Sequence, residues 1–109
     1  SSIEAVLCEK GHAIYAGSKN LLETYAKIYA KEYIGRKICV NGIRPALVNT
    51  PMIINSKNEY KGLVGEVVRK QAFGLIDARQ ISYTIEFLLS EKSKYMTGTF
   101  IEISAGWHV

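Results

Sequence analysis

The strongest constraint on the fold lies at 37–43, where Lys37-Ile38-Cys39-Val40-Asn41-Gly42-Ile43 is nearly continuous in apolar residues at its centre. A strand with one face in water alternates apolar and polar positions. A strand covered on both faces does not, and such strands belong to parallel sheets layered between helices. Pro45, with no N–H for a ladder, is expected to stop the strand. Helical patterns flank it. Over 15–33, Leu22, Tyr25, Ala26, Tyr29 and Tyr33 recur at spacings of three and four and make one apolar face. Gly35 marks the end of this helix, with Lys31 and Arg36 near the negative pole of its dipole. Asp77 reads as the N-cap of a helix to about Leu89, with Ile81, Ile85, Leu88 and Leu89 turned inward. Residues 99–103 read as a last short strand, and 1–12 as a strand end followed by a loop. The segment 46–75 is the most irregular, with Thr50-Pro51, Gly62, Gly65, Gly74 and a short helical pattern over 63–72.

Strands alternating with helices imply parallel pairing through right-handed crossovers. Only two clear strands lie wholly inside the 109 residues, too few for a doubly wound sheet. The chain therefore reads as depending on a partner segment or as part of a longer protein. The missing initiator Met points the same way. With 48% hydrophobic and 22% charged residues the composition is that of a globular chain. No apolar run approaches the length of a membrane span, and the first residues lack the form of a signal peptide. Cys8 and Cys39 form no CxxC pair, so no metal site is expected. Cys39 is expected to be a reduced core residue, which fits the cytoplasm. The net charge of +4 is scattered rather than clustered, as on a solvated face and not a nucleic-acid surface.

The chemistry-bearing feature is Tyr15-Ala16-Gly17-Ser18-Lys19. Residues four apart on a helix lie on one face, a turn from each other. A phenol ordinarily keeps its proton well above neutral pH, and a neighbouring ammonium favours the phenolate. Such a phenol is competent as a general acid toward a carbonyl oxygen or as a base toward an alcohol. On its own the spacing also fits a surface lysine beside a packing tyrosine.

Further blocks agree with it. Ser2 stands 13 residues before Tyr15. Val40-Asn41 is followed by Pro45-Ala46-Leu47-Val48-Asn49-Thr50-Pro51-Met52. Phe87-Leu88-Leu89-Ser90 precedes Tyr95-Met96-Thr97-Gly98-Thr99-Phe100-Ile101. In this order the blocks resemble the short-chain dehydrogenases/reductases over nearly the whole chain. The resemblance implies an α/β fold, the C-terminal half of a doubly wound Rossmann-type parallel sheet. It would be incomplete without its N-terminal nucleotide-binding half, so that residues 1–109 form the catalytic and substrate-loop half of one domain. It implies an oxidoreductase that moves hydride between NAD or NADP, NADP being favoured, and a small carbonyl or alcohol. Ser2 would hydrogen-bond the carbonyl, Tyr15 would exchange the proton, and Lys19 would hold the nicotinamide ribose and assist Tyr15. Pro45 and Ala46 would lie against the cofactor, the Val48 backbone would meet the carboxamide, and Thr50 would contact the carboxamide or a phosphate. It also implies a homodimer or homotetramer at full length.

The pattern departs from the family in places. Ala46 stands where the family has Gly, which permits close backbone approach to the cofactor, and adds a methyl there. Ser104-Ala105-Gly106 replaces Asp-Gly-Gly, and Gly17 replaces Ala. The Gly-rich turn that holds a pyrophosphate is absent, as are its cofactor selector and the family's catalytic asparagine. Two other readings follow from that absence: a non-catalytic reductase half that serves as an interaction or structural module, and one half of a split enzyme. Thr50 also reads as a cap, with Pro51 at the first helical position. Asn41 reads as a strand-end structural residue, and His12 and His108 as solvated or structural. Tyr25, Tyr29 and Tyr33, with Trp107, read as packing residues, some of them across a dimer. Met52, Ile53, Ile54, Tyr60, Leu63, Val67 and Val68 read equally as an apolar lid or as helix packing. Lys57, Lys61, Arg69 and Lys70 read as wet surface more readily than as an anion-attracting patch.

Overall fold

The computed structural model describes residues 1–56, 65 and 69–107. Two short strands, β1 (Gly42–Pro45) and β2 (Phe100–Ile103), pair in parallel, with Gly42 opposite Phe100 and Pro45 opposite Ile103. The element order is α1 (Glu4–Leu7), α2 (Ala13–Tyr33), β1, α3 (Pro51–Ser56), α4 (Ala78–Leu89) and β2. This is the expected partial parallel sheet with its helices.

Strand β1 starts later than the apolar run and contains Pro45 instead of stopping before it. The ladder to β2 uses the N–H of Gly42, to the Thr99 carbonyl, and of Ala46, to the Ile103 carbonyl, each at 2.9 Å. The nitrogen of Pro45 faces the opposite edge, where no donor is required. On that edge its carbonyl accepts the Ile3 N–H at 3.1 Å, so the first residues run beside β1. The apolar run itself is fixed by side chains and turns. Val40 gives its N–H to Thr97 Oγ1 (3.1 Å), and its carbonyl accepts the N–H of Gly98 (2.8 Å). Asn41 donates to the Met96 carbonyl (2.7 Å) and accepts the Thr99 N–H (3.1 Å), a structural role at the strand start. Cys39, expected in the core, is exposed because its run lies outside the ladder.

Helix α2 begins before Tyr15 and ends in a 3-10 turn, Ile34–Arg36. Gly35 sits inside that turn. The left-handed residue that ends it is Lys37 (φ 58°), whose N–H returns to the Ile34 carbonyl. The buried face of α2 is not the one carrying the tyrosines. Ala16, Glu23 and Ala30 are buried, with Lys19 and Ala26 half-buried between them, a stripe of mostly small residues that lets the helix lie close to its neighbours. Leu22, Tyr25, Tyr29 and Tyr33 stay exposed. Residues 4–7, expected as loop, form α1. Helix α4 starts as expected, with Asp77 Oδ1 accepting the Arg79 N–H at 2.8 Å. Of its inward residues Ile81 and Leu88 are half-buried, while Ile85 and Leu89 are exposed.

Among the described residues the buried apolar set is Ile3, Ala5, Ala16, Ala30 and Ile76, and none of the largest side chains is fully enclosed. A complete domain core is ordinarily built from Leu, Ile and Phe. Among the described residues the apolar faces of α2 and α4 are left largely uncovered.

Candidate active site

Tyr15 and Lys19 lie in the first two turns of α2. The Lys19 ammonium stands 5.2 Å from the centre of the Tyr15 ring, so the pair shares one face, as the four-residue spacing requires. Tyr15 is about half exposed (48%), and Ala16 beside it is buried, which fixes the rotation of this turn. Ser18 Oγ donates to the Tyr15 carbonyl at 2.7 Å. Ser2 is buried at the mouth of α1, where its Oγ accepts the Glu4 N–H at 3.2 Å. This contact occupies a lone pair and leaves the hydroxyl proton available to an outside acceptor. Among the described residues Ser2 and Tyr15 share no hydrogen bond.

Beyond β1 the chain runs as Pro45-Ala46-Leu47-Val48. Val48 forms a parallel bridge with Ile76: the Leu47 carbonyl accepts the Ile76 N–H (3.1 Å), and the Ile76 carbonyl accepts the Asn49 N–H (2.8 Å). In this arrangement the N–H and C=O of Val48 point to the other side, a donor and an acceptor one residue wide, suited to a carboxamide. The loop also leaves the carboxyl ends of parallel strands, where open α/β sheets bind their ligands. The residues present therefore fit a nicotinamide. Thr50 immediately precedes α3, its carbonyl accepting the Ile53 and Ile54 N–H groups (3.0 Å each) with Pro51 at the first helical position.

Two site-forming residues escaped the sequence reading. Gln71, 2% exposed, accepts the Leu47 N–H (2.9 Å) and donates to the Leu47 and Gly74 carbonyls (3.2 and 2.9 Å), clamping the loop after β1. Glu23, also 2% exposed, accepts Arg44 Nε (2.7 Å) and a second guanidinium N–H (2.6 Å) in a fork, and Ser1 Oγ (2.8 Å). Burial alone raises the proton affinity of the Glu23 carboxyl. The hydrogen bonds from Arg44 and Ser1 outweigh it and hold the group below the usual carboxylate range. The same fork holds the Arg44 guanidinium above its ordinary value. The available signal was a lone acidic residue on a small-residue helix stripe and a lone arginine in a short strand.

His12, read as solvated or structural, has Nδ1 3.2 Å from Glu4 Oε2. Lys70 pairs with Glu9 (3.0 Å) and lies 5.4 Å from the centre of the Trp107 ring. Met52 and Ile54 are exposed on α3. Tyr60, Leu63, Val67, Val68, Lys57, Lys61, His108 and half of the 63–72 helical pattern lie outside the described residues.

A family model described as enoyl-(acyl carrier protein) reductase matches residues 1–108, and the chain belongs to the short-chain dehydrogenase/reductase family. It is 31% identical over 106 residues to a 3-oxoacyl-[acyl-carrier-protein] reductase of Thermotoga maritima, covering 97% of this chain but 42% of that protein. It is 29% identical to L-xylulose reductase of Bos taurus, covering 88% of this chain and 39% of the relative. Among solved structures, L-sorbose reductase from Gluconobacter frateurii complexed with NADPH and L-sorbose aligns at a TM-score of 0.88 with 28% identity. That alignment covers 98% of this chain and 44% of the other. The fold is thus part of a Rossmann-type sheet, and the chain spans less than half the length of the relatives it matches.

Proposed function

We propose that this segment is the catalytic half of an NAD(P)-dependent carbonyl reductase or alcohol dehydrogenase, with Tyr15 as its general acid and base. The observation that carries this reading is the Lys19 ammonium 5.2 Å from the Tyr15 ring centre, in the first two turns of α2. When bound, the nicotinamide supplies or accepts the hydride. Tyr15 Oη gives its proton to the carbonyl oxygen in reduction and takes it back in oxidation. Ser2 donates a hydrogen bond to the same oxygen. Lys19 sets its ammonium beside the phenol ring and would hold the ribose hydroxyls. Val48 would offer its N–H and C=O to the carboxamide, Pro45 and Ala46 would lie against the nicotinamide, and Thr50 would contact the carboxamide or a phosphate. Aligning the reactants this way removes up to about 7–11 kcal/mol of entropic cost in well-oriented systems.

The substrate is a small carbonyl or alcohol. Relatives named as 3-oxoacyl-carrier, xylulose and sorbose reductases support an oxo compound as substrate, and solved neighbours complexed with NADPH or with NADH support a nicotinamide, of which NADPH is the first to test. The two free thiols suit the cytoplasm, and the unpartnered apolar faces of α2 and α4 suit a homodimer or homotetramer at full length. The test is NADPH oxidation with ethyl acetoacetate by a chain in which a Gly-rich nucleotide-binding half precedes this segment. Saturable turnover with direct transfer of a cofactor deuterium to the product is expected. Absence of both cofactor binding and turnover would favour the non-catalytic module. Activity that appears only with a second chain carrying the Gly-rich motif would favour a split enzyme.

A further inference from the structure

We propose that Glu23 is a positioning residue, one buried carboxylate that sets the relative placement of the three segments carrying the reacting groups. The inference rests on the reading of Ser2, Tyr15, Lys19 and the Pro45–Thr50 loop given above. Glu23 is one turn beyond Lys19, on the buried stripe of α2. Each of its partners adjoins another part of the site in the chain: Ser1 precedes Ser2, and Arg44 precedes Pro45. Three hydrogen bonds of 2.6–2.8 Å therefore join the serine segment, the Tyr15 helix and the cofactor loop at a single group. The Ile3 N–H to Pro45 carbonyl bond, 3.1 Å, closes the same triangle on the backbone.

The chemistry of the pair argues for placement over mere cohesion. A buried ion pair carries a large desolvation cost, and apolar residues of similar volume often serve stability as well or better. What an apolar pair lacks is direction. A planar guanidinium meeting a carboxylate through two parallel N–H groups fixes both distance and angle. Arg44 is itself seated, its guanidinium 5.4 Å from the centre of the Phe100 ring on β2. Helix α2 is thus referenced to the sheet at a point one turn from Lys19. The other buried residues of the stripe, Ala16 and Ala30, are small and apolar and impose no register along the helix axis.

The test uses the full-length protein with its nucleotide-binding half and follows NADPH oxidation with ethyl acetoacetate, well below the melting temperature of every variant. Glu23→Gln keeps the shape and removes the charge. Arg44→Lys keeps the charge and removes the fork. Both are expected to lower kcat by about tenfold or more and to raise the KM for NADPH, because misplacement by about 1 Å can cost about a hundredfold in rate. Glu23→Asp, which shortens the reach but keeps the charge, should retain more activity than Glu23→Gln. If Glu23→Gln does not fold, Arg44→Lys decides. Folded variants with lowered melting temperature but kcat and KM within about twofold of the parent would overturn the proposal, since a cohesive role alone changes stability and not these constants. Tyr15→Phe in the same background separates the two levels. If it abolishes turnover while the Glu23 and Arg44 variants keep it, only the positioning role fails. If it retains turnover, the reading of the reacting groups fails.

Discussion

That Tyr15 and Lys19 share a face was legible because a spacing of four is a geometric statement about any helix, and α2 does begin before Tyr15. Glu23 was not legible from periodicity, since an apolar-face count assigns an acidic residue to water. Burial of its charge depends on Arg44, 21 residues away, and no local pattern reveals such a pairing. The pair makes a definite stability prediction. Arg44→Met leaves the Glu23 carboxylate enclosed without its fork and should destabilise the full-length protein by about 2–3 kcal/mol, read by chemical denaturation at neutral pH. The pH dependence has a fixed sign. The carboxyl of folded Glu23 titrates below its unfolded value, so its contribution is complete above about pH 4.3 and is lost as pH falls through the folded value. The stability gap between parent and Glu23→Gln should therefore narrow with acidification below about pH 4.3. A gap that is constant or widens there would contradict the arrangement.

At the scale of elements, helices were read more accurately than strands. Helix α4 follows from Asp77, an N-cap whose signal is local. Strand β1 does not follow from its own apolar run, because a strand exists only where a partner lies alongside. Here the partner begins at Phe100, which selects Gly42–Pro45. A side chain on Gly42 would run into the Phe100 ring, so the pairing also depends on a glycine at that point. The loop after β1 owes its shape to Gln71, which sequence pattern left in an irregular stretch. Gln71→Ala orphans the Leu47 N–H and two carbonyls. It should cost about 2–3 kcal/mol, measured by denaturation, and should raise the KM for NADPH more than it lowers kcat, since the Val48 backbone is what it positions.

On the scale of the whole molecule, the sequence already showed a half-built object: too few strands, and no Gly-rich turn. Among the described residues the structure agrees, with a handful of buried apolar residues and broad apolar helix faces in the open. What remained illegible was which face of α2 turns inward. The tyrosine-rich stripe is the more hydrophobic, but the small-residue stripe is the one that fits against the neighbours present. The segment covers less than half of relatives more than twice as long, and the reading proposed for Tyr15 and Lys19 is accordingly tested in a chain of that length.

The most direct measurement is the turnover of Tyr15→Phe in the full-length protein, taken together with its NADPH binding by fluorescence. The account predicts that NADPH still binds within a few-fold while carbonyl reduction falls by about a hundredfold or more, because only the proton donor has been removed. A Tyr15→Phe protein that binds NADPH and reduces ethyl acetoacetate at the parent rate would contradict it.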